Sequence, residues 1–207
     1  MVLLAVIMII LLTFAFLRSR AIKKEQAAID GFWDREEQAN STKKKDISQL
    51  DYIVIPLDKL PFSNTEDKNS PLYEYENTVK DLANQKILNL TGYSNTDLKL
   101  MFGAANLDEL SLADQNFTTL ARTLSKWGDY LLQENKSSEA QAVYEYAVEC
   151  KSDISSIYIN LAKIYKAINP QGISQLIEQA KNLKSLLADK LVISLQDIQQ
   201  ADPSNLN

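Results

Sequence analysis

Val2 to Leu17 (VLLAVIMIILLTFAFL) is an uncharged apolar run, broken only by the hydroxyl of Thr13, and it leads straight into Arg18, Arg20, Lys23 and Lys24. As helix, residues 1–17 extend roughly 26 Å at 1.5 Å per residue, against a hydrocarbon core of about 30 Å. Snorkelling Arg18 and Arg20 supply the missing turn. A cleavable leader carries its positive charge before the apolar run and small residues after it. Here the cations follow, and the run leaves through Phe16, Leu17 and Arg18. These flanks predict an uncleaved single-pass transmembrane helix over 1–17. The excess of Lys and Arg after the span places the remainder of the chain in the cytoplasm, at the cell membrane.

The 207 residues carry 22 Lys and Arg against 27 Asp and Glu, a net charge of −5, which is not the profile of a nucleic-acid-binding domain. There is no histidine, so Ser-His-Asp and Cys-His catalysis are excluded and the commonest metal ligand is missing. Cys150 is the single cysteine, and its default place is that of a small buried hydrophobe. Five dispersed glycines form neither a phosphate loop nor a dinucleotide fingerprint. Carboxylate neighbours such as Asp108 and Glu109, or Asp189 and Asp197, have nothing around them to dry or orient them. The expectation is a chain without catalysis, cofactor or metal. Sequons occur at Asn40, Asn89, Asn116 and Asn135, with no consequence for a cytoplasmic domain.

Charge is unevenly distributed. Residues 18–45 hold eight cations and five anions, whereas 46–207 hold 14 cations and 22 anions. This suits a basic stalk lying near anionic lipid headgroups and an acidic body beyond it, although the Lys43–Lys45 run reads equally well as solvated helix surface. Ile22, Ile29 and Glu36 fall seven apart with Phe32 and Trp33 between them, so the membrane helix is expected to continue as an amphipathic stalk to about Asn40. From 46 to 73 the pattern is that of an extended linker. Tyr52 to Leu57 is β-branched but interrupted by Pro56, and Pro61 and Pro71 follow. Its apolar side chains need cover, from this domain or from a partner.

Helical periodicity begins near Tyr75. One helix is expected through Val79, Leu82, Ile87 and Leu90, and a short one from Asn95 or Thr96 to Phe102, ended by Gly103. A longer one then opens at Asn106 or Ser111 and runs to Leu131. Within it Trp127, Gly128 and Leu131 are matched 34 residues later by Leu161, Ala162 and Tyr165. In the next helix Ala140, Tyr144 and Ala147 are matched 33 residues later by Ile173, Ile177 and Ala180. At these residues the chain resembles the tetratricopeptide repeat (TPR) family, over two repeats spanning 121–183. Gly128 and Ala162 stand where that family puts a small residue between antiparallel helices. The chain departs from the family at Ile173, Ser152 and Leu131, where alanine, proline and tyrosine are usual.

The expected fold is all-α: a transmembrane helix, then a short TPR-like solenoid flanked by N-terminal helices over 74–120 and a C-terminal capping helix over 184–201 built on Leu186, Leu187, Leu191, Val192, Leu195 and Ile198. The resemblance implies an adaptor or scaffold that takes a protein or peptide partner on the groove of its first helices, at Ser125, Asp129, Leu132, Ile159, Lys163 and Lys166. The alternative is a permanent small subunit of a membrane complex, held by its stalk and transmembrane helix.

Overall fold

A computed structural model describes residues 2–63 and 67–201, with the side chains of 2–6 and 10 outside the description. It is all-helical: α1 (Val2–Ser41), α2 (Pro71–Leu82), α3 (Asn95–Phe102), a 3-10 turn (Ala104–Asn106), α4 (Leu107–Gln133), α5 (Ser137–Glu149), α6 (Ser155–Ile168), α7 (Gly172–Lys181) and α8 (Ala188–Gln200). No strand occurs among the described residues. Also among the described residues, no helix is long and apolar enough to cross a membrane. The apolar run 1–17 includes positions 1–6 and 10, so that expectation falls partly outside what is described. The chain divides into two units, one made of 1–47 with 94–107 and the other of 48–93 with 108–207.

The first unit is α1 clasped at its C-terminal end by α3. Eight residues are too few to hold a helix alone, and α3 is secured at both ends. Ser94 and Asp97 form a reciprocal capping box, and Gly103 ends the helix at φ 92°. A Cβ on Gly103 would meet the backbone of Lys43 and Lys44 within 2.7 Å, so glycine is needed here for space and for conformation. Polar contacts tie the two helices. Glu36 accepts from Thr96 Oγ1 and from Lys99 Nζ at 3.0 Å, Lys99 also donates to Asn40 Oδ1 at 2.8 Å, and Arg35 pairs with Asp97 at 2.6 Å. Asn106, fully buried, donates to the carbonyls of Lys45 and Phe102 at 2.8 and 2.7 Å. Asn106 is therefore a bridge between segments and lies in the 3-10 turn, while α4 itself begins at Leu107.

The second unit carries the core, with Trp127, Tyr144, Tyr158, Leu120, Leu124 and Leu161 among its largest fully buried side chains. α6 packs on α5, α7 and α8, and α7 packs on α8. α4 and α5 end in the same way, each with a left-handed residue, Asn135 at φ 60° and Lys151 at φ 56°. In each case the following N–H reaches five residues back, Lys136 to Leu131 and Ser152 to Ala147, at 2.8 and 3.1 Å. This is the Schellman closure of a helix end, used twice. α4 and α5 approach closely because Gly128 has no side chain. A Cβ there would lie 2.6 Å from Tyr144 Cζ.

Two segments depart from the sequence expectations. The helix expected through Leu90 stops at Leu82, and 86–90 is extended. Ile87, Leu88 and Leu90 are buried all the same. Their backbone groups pair sideways: Leu88 N–H with Ala113 O, Leu90 N–H with Asp114 Oδ1, and Ile87 O with Ile53 N–H, at 2.9 to 3.1 Å. Second, Leu186 and Leu187 do not belong to the capping helix. They lie in the loop before Ala188 and are 103% and 56% exposed. The apolar side chains of 52–60 find the cover they need within this unit. Ile55 and Leu60 are buried in the core and Ile53 packs against it, while Val54 between them faces solvent and its carbonyl accepts from Tyr146 Oη at 3.4 Å.

Gly128→Ala is expected to lower stability by about 1–3 kcal/mol through overpacking, on the order of 2–4 °C of Tm for each kcal/mol, read by thermal melting of the full chain in detergent. An unchanged melt would refute the α4–α5 approach. The clasp on α1 has its own signature. Hydrogen bonds from Thr96 and Lys99 hold the Glu36 carboxyl below its ordinary 4.5. Its contribution is therefore complete above the carboxylate range and is lost as pH falls through the depressed value. Protection factors of the α3 amides against hydrogen exchange should fall on acidification, and Glu36→Gln should reduce that fall to the part owed to Asp97, whose carboxyl Ser94 and Arg35 likewise hold low.

Candidate functional site

Position 129, one residue beyond the bare backbone of Gly128, begins the most ordered polar arrangement in the second unit. Tyr144 Oη, from α5, donates to Asp129 Oδ1 at 2.5 Å. Asn160 Nδ2, from α6, donates to the same oxygen at 2.9 Å and to Tyr144 Oη at 3.2 Å. Because the Asp129 carboxylate can only accept, it fixes the orientation of the Asn160 amide, whose carbonyl oxygen is left for other use. Burial, and then the hydrogen bond to Asp129, push the Tyr144 hydroxyl well above its ordinary 10, so it stays a donor at any physiological pH. One carboxylate thus ties three helices.

Beside this strut lies a cleft of about 480 Å³ between the α4–α5 turn and the outer face of α6. Leu132, Ile164, Ala167 and Ile168 form its apolar floor. Ser137, Ser138, Gln141 and Asn160 supply neutral polar groups, and Lys163 is the one charged residue among the lining side chains. Gln141 donates its amide to Glu145 at 2.7 Å, so it too presents a carbonyl oxygen. The surface therefore combines an apolar floor with acceptors and one exposed cation, a chemistry of binding. A second concavity of about 530 Å³, along α1 between Leu11, Phe14, Ala15 and Ile22, is walled by a single helix.

The six groove positions expected from the sequence separate. Leu132 and Lys163 line the cleft, and Asp129 stands behind it through Asn160. Ser125 does not face a groove: it is 8% exposed, with its hydroxyl 3.3 Å from that of Ser156. Ile159 packs on the core. Lys166 donates to Gln199 O at 2.7 Å, near the end of α8. The physical reason is packing by later elements: α8 lies on α6 and takes Lys166, and Ser125 of α4 meets Ser156 of α6.

Other cleft residues were not expected: Ser137, Ser138 and Gln141, on the second helix of the hairpin, and Asn160, Ile164, Ala167 and Ile168 on α6. Ile168, an apolar residue 65% exposed at a helix end, is the one signal of the cleft that a helical wheel could have raised. Cys150 is buried and its thiol is pushed up to about 11 by burial, so it behaves as packing. Among the described residues no group of three or more Cys, Asp or Glu is placed to hold a metal. No protein-family model matches the chain, and no curated protein or solved structure is similar to it.

Proposed function

We propose that this chain is a non-catalytic, membrane-anchored TPR-like adaptor that holds a protein or peptide partner in the cytoplasm. The observation that carries the binding role is the cleft of about 480 Å³, with an apolar floor, oriented carbonyl acceptors and the exposed Lys163. The repeat reading is supported by the small residues at 128 and 162, by the close approach of Tyr144 to Gly128, and by the repeated closure of α4 and α5. The anchor reading rests on the uncharged run 2–17 and on the cations at 18, 20, 23 and 24 that follow it, possible lipid headgroup contacts of the stalk included. A second reading, a permanent small subunit of a membrane complex, is favoured by one feature: the apolar side chains that α1 leaves uncovered between 22 and 33.

Crosslinking pull-downs from membranes distinguish the two. Under the adaptor reading, Lys163→Glu with Ile168→Asp abolishes capture of whatever the native chain recovers, while the melt is unchanged to within about 0.5 kcal/mol because both side chains are exposed. Capture that persists would leave the subunit reading standing and remove the cleft from the function.

Topology is tested with Lys136→Cys, an exposed position in the α4–α5 turn. Cys150 supplies little background, being buried with a raised pKa. A membrane-impermeant thiol reagent is expected to spare the variant in intact cells and to label it after permeabilisation. Labelling of intact cells would reverse the orientation.

A further inference from the structure

α1 is 40 residues long, and from 11 to 35 every side chain is exposed. A solitary helix in water gains little from its own hydrogen bonds and is normally held by burying one face. The stretch that follows the apolar run has such a face. Ile22, Gln26, Ile29, Trp33, Glu36 and Asn40 succeed one another at alternating spacings of four and three residues, which keeps them in one line along the helix. The C-terminal members, Glu36 and Asn40, are the ones that receive Lys99 of α3. The unoccupied part, with Ile22 54%, Ile29 44% and Trp33 63% exposed, continues a helix-packing surface already in use.

The charges beside the line decide what can cover it. One flank carries Arg18, Glu25 and Phe32, and the other Lys23, Asp30 and Glu37. When two such helices run side by side in the same direction, each residue of the first flank meets the residue five positions later on the second flank of its neighbour. For two copies of this chain those meetings are Arg18 with Lys23 and Glu25 with Asp30, like charges both times. Self-pairing in register is opposed.

We propose that the Ile22–Ile29–Trp33 line is the seat of one helix of a partner protein, running in the direction of α1. Its flanks are acidic at the level of Arg18 and Lys23, and basic two turns later at the level of Glu25 and Asp30. The direction rests on the membrane anchor proposed above, with a partner helix that, like α1, leaves the bilayer at its N-terminal end. The seat is separate from the cleft.

A charge-swapped copy of the full chain, with Arg18→Glu, Lys23→Glu, Glu25→Lys and Asp30→Lys, carries the flanks required of the partner and is the probe. Native and swapped chains, each with Gln26→Cys and a different tag, are mixed in proteoliposomes and oxidised. Disulfide-linked hetero-pairs should exceed either homo-pair by at least tenfold, and Ile29→Asp in both chains should abolish them. Three results overturn the proposal: native homo-pairs as abundant as hetero-pairs, which makes a second copy the occupant; no pairing above the Ile29→Asp background; or hetero-pairs that survive Ile29→Asp. Flotation of the same sample with its vesicles reports on the anchor independently, and the oxidation repeated in detergent decides the seat if the chain does not float.

Discussion

Tyr144 is the side chain on which the second unit depends. Its ring lies against backbone that Gly128 leaves bare, and its hydroxyl reaches the one carboxylate that also receives Asn160. The two requirements reinforce each other. Without the glycine, the ring could not come close enough for its hydroxyl to meet Asp129, the next residue of α4. Without the carboxylate, a fully buried tyrosine would place its hydroxyl among apolar neighbours at a cost of about 1–3 kcal/mol. The strut fixes α6 against the first hairpin, and the cleft is the shape left beside it.

The polar clasp of the first unit works differently. Its groups are exposed or half-exposed, and each contact alone contributes little. Its strength lies in number and in the closed ends of α3, with a capping box before it and Gly103 after it. Such a clasp gives position more than stability. It also explains why the apolar line of α1 ends where it does: beyond Trp33 the same face is occupied by Thr96 and Lys99, and polar residues take over.

These two arrangements assign different work to the two units. The second has a packed core and a cleft whose acceptors are oriented by neighbours, Asn160 by Asp129 and Gln141 by Glu145. The first has a long helix with no core and an unfilled face whose charges alternate in sign by two-turn blocks.

Much of the helical order was legible in the sequence. Gly103, the helix start at Asn95 or Thr96 and the 34-residue correspondence are local or periodic signals, and they mark α3 and the helices from α4 to α7. Of the matched positions, Trp127, Gly128, Leu131, Leu161 and Ala162 are buried, as are Ala140, Tyr144, Ala147, Ile173, Ile177 and Ala180, while Tyr165 is half-buried. What periodicity could not see was the path of 86–90, because apolar residues at 87, 88 and 90 suit a buried helix and a buried extended segment equally. The decision came from Ala113 and Asp114 of α4, which offered those backbone groups partners. The candidate site divided in the same way. Leu132 and Lys163 were expected on a first-helix face through the resemblance to tetratricopeptide repeats. Whether that face is open depends on α8, which takes Lys166 through Gln199 and lies some thirty residues away in the chain. Sequence determined which residues share a helix and which side of it is apolar. Tertiary structure decided which of those sides stays exposed, because a surface remains free only when no other part of the chain can bury more by covering it.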